Sequence, residues 1–164
     1  MPPLLSVAGS ESIKRLAAST APLEKLNINL RAAQDVLLQT RGIKFPSDRR
    51  SPVIHLYIAS SAAAAEKQGL LTVPEPTYFS GKPSSSEAAR FAAEEKILQR
   101  IVDRALAQGV MITRARRLKG QENPEPRPSI RLTISAAMTL EDVQQSCRIV
   151  KGCAETVLGE EGLL

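Results

Sequence analysis

The stretch from Pro128 to Leu158, PSIRLTISAAMTLEDVQQSCRIVKGCAETVL, leaves the fewest ways for this chain to fold. Between Ser129 and Ser135 apolar and polar residues alternate, with Ile130, Leu132 and Ile134 on one face and Arg131, Thr133 and Ser135 on the other. A period of two in a run rich in β-branched residues predicts a half-buried strand. Thr139 then stands three residues before Asp142, the spacing at which a hydroxyl and a carboxylate cap the free N–H groups of a helix start. Val143, Cys147, Val150, Ala154 and Val157 recur at steps of three and four and make one apolar helix face. Gly159 is the expected stop. The stretch therefore predicts a strand, a tight turn and a helix folded back over the strand. Arg131 falls on the strand face that this helix does not cover. An arginine there is ordinarily a solvated charge, yet its planar fork of donors suits a carboxylate better than any other side chain.

A chain of 164 residues suits one domain with a core of its own. No Trp, two Tyr and three Phe argue against platforms on which bases stack. The formal charge of +5 permits an anionic partner without requiring one. Cys147 and Cys153 sit about 120° apart around the predicted helix, so they do not readily pair. With His55 as the one histidine they suggest no metal site. Buried free thiols and a reducing compartment are expected. No apolar run approaches the roughly 18 residues of a membrane span. The opening MPPLLSVAG lacks the basic leader of a signal peptide. A chain that passes from Met-Pro-Pro directly into a helical pattern is expected to continue a longer protein.

Leu4, Leu5, Ala8, Ile13, Leu16 and Ala17 give a short helical pattern weakened by Gly9. After Pro22, favoured in a first helical turn, Leu23, Leu26, Leu30, Ala33 and Leu37 predict an amphipathic helix that Gly42 stops. Its polar side carries Lys25, Arg31 and Asp35. Ile43 to Phe45 reads as a short strand and Pro46 to Pro52 as a turn. In VIHLYI, Val53 to Ile58, a strand places Ile54, Leu56 and Ile58 on one face and Val53, His55 and Tyr57 on the other. His55 is expected to be packed or hydrogen-bonded on the sheet. Ser60 to Ser86, rich in Ala, Pro, Gly and Ser, reads as an exposed excursion. Ser86 then caps a helix whose buried stripe is Ala92, Ile97, Leu98, Ile101, Val102 and Ala105, ending at Gly109. Val110 to Ala115 reads as a strand, with Arg114, Arg116, Arg117 and Lys119 around its end and a polar loop from Gly120 to Arg127.

This order predicts an α+β fold: a sheet of three or four mainly antiparallel strands with helices on one face. The face carrying His55 and Arg131 is left open, and an open sheet face ordinarily has a partner. From Val53 onward the order also matches most of a ferredoxin-like binding module, whose RARRLK stretch could touch RNA. The missing aromatic pair argues against nucleic acid.

SIRLTISAAMTLEDV resembles the closing strand and helix of the α-oxoamine synthases, pyridoxal-phosphate enzymes that join an amino acid to an acyl-CoA. Within that family MPPLLSVAGSESIKRL, SPVIHLYI, ILQRIVDRALAQGVMITRARRL and RPSIRLTIS are similar to the serine palmitoyltransferase branch, on the side of its non-catalytic long-chain-base subunits. The resemblance covers nearly the whole chain except about Ala59 to Ala88, which looks like an insertion. It implies the C-terminal small domain of a fold-type I enzyme over residues 43–159. Residues 1–42 would be a helical lead-in from a large domain upstream, residues 59–88 a flexible insertion and residues 160–164 a tail.

The resemblance also implies function. The whole enzyme would condense L-serine with palmitoyl-CoA to 3-ketodihydrosphingosine, as a heterodimer at the endoplasmic-reticulum membrane. Pyridoxal phosphate and its lysine would belong to the catalytic partner subunit. Lys14, Lys25 and Lys44 do not stand in that lysine's motif, so this chain is expected to carry no covalent cofactor and no catalytic residue. Arg131 matches by position the arginine that grips the substrate carboxylate in catalytic members, which makes it the candidate substrate-binding residue. Met138 stands where the synthases often carry histidine. The alternative implied is the small domain of a catalytic α-oxoamine synthase.

Overall fold

The alternation in VIHLYI and SIRLTIS places their two strands side by side at the centre of one sheet. The computed structural model describes residues 3–59, 85–116 and 126–164. Its elements are α1 (Pro3–Ala18), α2 (Ala21–Leu37), β1 (Ile43–Lys44), β2 (Val53–Ile58), α3 (Ser85–Ala107), β3 (Thr113–Arg114), β4 (Ile130–Thr133) and α4 (Leu140–Glu160). The sheet runs β1-β2-β4-β3, with every neighbouring pair antiparallel. In the central pair Ile54 lies opposite Leu132 and Leu56 opposite Ile130, while Val53 faces Thr133 and His55 faces Arg131. Facing residues of a strand pair share a side of the sheet, so this register collects the apolar halves of both strands on one side.

That side is the core. Ile54, Leu56, Ile130 and Leu132 are buried beneath Leu30, Ala33 and Leu37 of α2, Leu98, Ile101 and Ala105 of α3, and Val143, Val150 and Val157 of α4. α4 packs against both α2 and α3. The architecture is the α+β layer that the sequence predicts, with four strands. Both cysteines are free and buried on α4. Thr139 caps α4 as its spacing requires: Oγ1 accepts the Asp142 N–H at 3.1 Å and donates to Asp142 Oδ2 at 2.6 Å. The turn before β2 closes in the same way, through an Arg50 N–H donated to Asp48 Oδ1 at 2.7 Å.

Several element ends differ from expectation, for physical reasons. α2 stops at Leu37 rather than at Gly42, because its last turn tightens: the amides of Gln39 and Thr40 bond the carbonyls of Val36 and Leu37. Gly42 instead turns the chain into β1 with a φ of 74°. α4 continues through Gly159 to Glu160. Its left-handed terminal residue is Gly162 (φ 67°), after which the Leu163 N–H returns to the Leu158 carbonyl at 2.8 Å. β3 is shorter than Val110 to Ala115, since the Val110 N–H closes α3 on the Ala105 carbonyl and Met111 is left 83% exposed. β4 is likewise shorter than its alternating run, although the Ile134 N–H still bonds the Pro52 carbonyl.

α3 begins at Ser85, one residue ahead of the expected cap, and Ala92 is exposed. Arg90, Phe91 and Glu94 are buried instead. α1 is not short: it runs through Gly9, and its side chains from residue 5 to 18 are all exposed. The excursion at 60–84, Arg117 and Lys119 lie outside the described residues. Among the described residues no helix is long and apolar enough to cross a membrane.

Candidate functional site

Alternation places on the side away from the core the residues that the apolar face rejects. His55 and Tyr57 of β2 are half-buried there, and Thr113, Arg131 and Thr133 are exposed. Arg131 sits between two register partners, His55 on β2 and Thr113 on β3. His55 is held on three sides. Its N–H donates to Ser47 Oγ at 3.0 Å, its Nδ1 lies 3.0 Å from Ser129 Oγ, and its ring stacks near Tyr57 with centroids 6.4 Å apart. Ser129 is itself only 2% exposed. The sequence expectation that His55 is hydrogen-bonded on the sheet holds.

Burial pushes the His55 imidazole below its ordinary pKa, and the neighbouring Arg131 charge pushes it further the same way. The ring is therefore neutral at neutral pH. Arg131 then carries a positive charge on this face, with the Thr113 and Thr133 hydroxyls beside it, and Lys44, opposite Tyr57, adds a second toward the β1 edge. Such a set can hold an anionic group by charge and hydrogen bonds.

A groove of about 280 Å³ adjoins the face. It opens where the chain from Gly109 to Thr113 parts from Arg131 to Ile134, and Met138, Val143, Cys147 and Val150 line its apolar part. The turn carrying Met138 is fixed from α2. Asn29 is 1% exposed, and its Nδ2 donates to the carbonyls of Ser135 and Met138 at 2.9 and 3.1 Å. Burial pushes the Cys147 thiol up to about 11 and raises Cys153 as well. Neither is a ready nucleophile at neutral pH. Among the described residues no cluster of three His, Cys, Asp or Glu is placed to hold a metal ion. Lys14, Lys25, Lys44 and Lys96 are exposed and Lys151 half-buried, so no described lysine is enclosed as a Schiff-base lysine would be.

Of the basic cluster expected around the end of β3, Arg114 lies on the other side of the sheet from Arg131, opposite Ile130. Arg114 turns toward α3, where its Nε donates to Gln99 Oε1 at 2.6 Å and its Nη1 lies 4.0 Å from Glu95. Two polar arrangements escape a reading of the sequence. One is Asn29, which occupies the place between Leu26 and Leu30 on the apolar stripe of α2. The other joins α3 to the strands: Arg127 donates to both Glu94 oxygens at 2.9 and 2.8 Å and to the Ile58 carbonyl at 2.7 Å. The signal for it was present, since Glu94 continues the buried stripe of α3 one turn before Ile97 and Leu98.

The chain is 27% identical over 162 residues to serine palmitoyltransferase 1 of Dictyostelium discoideum. The matched region is 96% of this chain and 29% of that protein, so the chain spans under a third of its relative's length. The likeness agrees with the resemblance read from the residues. No family model matches the chain.

Proposed function

We propose that this chain is the C-terminal small domain of a serine palmitoyltransferase supporting subunit. Its work is to stabilise the catalytic subunit that condenses L-serine with palmitoyl-CoA to 3-ketodihydrosphingosine at the endoplasmic-reticulum membrane. The observation that carries this reading is a likeness to serine palmitoyltransferase 1 that runs along 96% of the chain. Pyridoxal phosphate supplies the electron sink for such a condensation when bound, and the catalytic partner would hold it.

This chain's own contribution is a rigid surface. The neutral His55, locked to Ser129 and Ser47, gives Arg131 a fixed neighbour, and Arg131 presents its fork to an acidic group of the catalytic subunit. Co-expression with that subunit tests the reading. The chain should co-purify with it and raise serine-dependent product formation, and failure of both would overturn it. In the same complex Arg131→Ala should weaken co-purification several-fold with the serine KM unchanged. A raised serine KM with assembly intact would instead assign Arg131 to the substrate carboxylate.

A further inference from the structure

The pairing of β3 with β4 ends one step sooner than its register allows. The Ala115 N–H donates to the Ser129 carbonyl at 2.8 Å, and Thr113 stands opposite Arg131. In an antiparallel pair such bonded positions recur at every second residue. The next would join Met111 to Thr133. No backbone hydrogen bond links these two among the described residues, and Met111 is exposed instead. β2 does not take up the Thr133 groups either. The Ile134 N–H bonds the Pro52 carbonyl, so the Thr133 N–H and carbonyl, one position back, turn away from β2 toward the gap.

That gap is the groove of about 280 Å³ beside Arg131. An apolar cavity of about 150 Å³ accepts a benzene-sized group, so the groove has room for one large or two small apolar side chains. Met138, Val143, Cys147 and Val150 form its apolar wall, and among the described lining residues Arg131 is the one charged side chain. An extended backbone laid beside Thr133 meets all of these at once. The residue opposite Thr133 points to the face of Arg131, and the residues before and after it point to the apolar wall. The complement of the groove is therefore a strand that reads apolar, acidic, apolar. We propose that the catalytic subunit supplies such a segment, which adds to the sheet at Thr133 and sets its carboxylate on Arg131. The inference rests on the supporting-subunit function proposed above and gives that interface a backbone register.

Amide hydrogen exchange tests it, on the full chain free and co-purified with the catalytic subunit. The Thr133 amide should exchange rapidly in the free chain and about tenfold or more slowly in the complex. Thr133→Pro removes only an outward N–H, and the loss of one hydrogen bond should weaken the complex about 3–10-fold. Ser146→Phe, which fills the groove from α4, should weaken it at least as much, while Thr133→Ser, which keeps the N–H, should bind like the parent. A complex in which the Thr133 amide still exchanges rapidly overturns the inference and leaves the proposed function standing. Full binding by both Thr133→Pro and Ser146→Phe does the same. Protection already present in the free chain also overturns it. If independent of concentration, that protection means that Met111 closes the gap; if it rises with concentration, a second copy fills it. A chain that does not co-purify at all overturns the proposed function and the inference together.

Discussion

At Gly42 a single hydrogen atom decides how the chain enters the sheet. Its φ is 74°, and a Cβ there would lie 2.8 Å from both Leu158 Cδ1 and Leu164 Cδ2. Gly42→Ala should therefore cost about 1–3 kcal/mol, from left-handed strain plus displaced leucine ends. Urea unfolding would show this as a lower midpoint at unchanged slope. His55 makes a second residue-scale prediction. Its folded pKa is lowered, so the unfolded chain binds its proton first as pH falls. The neutral ring's stabilisation is complete above the unfolded value of about 6.5 and is lost as pH drops through the lower folded value. Tm should thus fall more steeply between pH 7 and 5 in the parent than in His55→Gln. His55 was legible because strict alternation fixes which way a strand residue points. Asn29 was not, because its partners are the carbonyls of Ser135 and Met138, over a hundred positions away. A polar residue on an apolar stripe looks like the stripe's margin until those carbonyls arrive.

Between elements, Glu94 ties α3 to the C-terminal end of β2 and to the approach to β4, through Arg127. Removing it takes the carboxylate from the buried Arg90 and the half-buried Arg127, so Glu94→Ala should cost about 3–5 kcal/mol. Adding Arg90→Met should recover part of that loss, and a double-mutant cycle reads the coupling. Thr139→Ala removes one cap and should cost about 1 kcal/mol, leaving the rest of α4 in place. The contrast follows what sequence reveals about elements. The β4–α4 unit was readable because alternation, cap and stripe are local signals within it. The end of α2 and the length of β3 were not, since hydrogen bonds inside the closing turns set them, and glycine spacing does not report those. The start of the α3 stripe is hidden in the sequence because Arg90 and Glu94 are charged, and only their mutual arrangement with Arg127 makes burial possible.

For the molecule as a whole, the layered fold follows from two apolar strand faces that must be covered from the same side. The helices that cover them hold the thiols inside, so Cys147 and Cys153 should resist alkylation at neutral pH until the chain unfolds, as mass spectrometry of labelled protein would show. α1 takes no part in that cover. The order of the sheet has a further consequence for synthesis. His55 and its sheet neighbour Ser129 are 74 positions apart, so β2 leaves the ribosome long before the strand that completes it. VIHLYI combines β-branched and aromatic residues with neither proline nor a formal charge, the composition that favours pairing with identical strands from other chains. Until residues 130–133 emerge, β2 has only the two-residue β1 beside it. Translation that stalls within that interval exposes an aggregation-prone segment, and a holdase chaperone would have its longest engagement there.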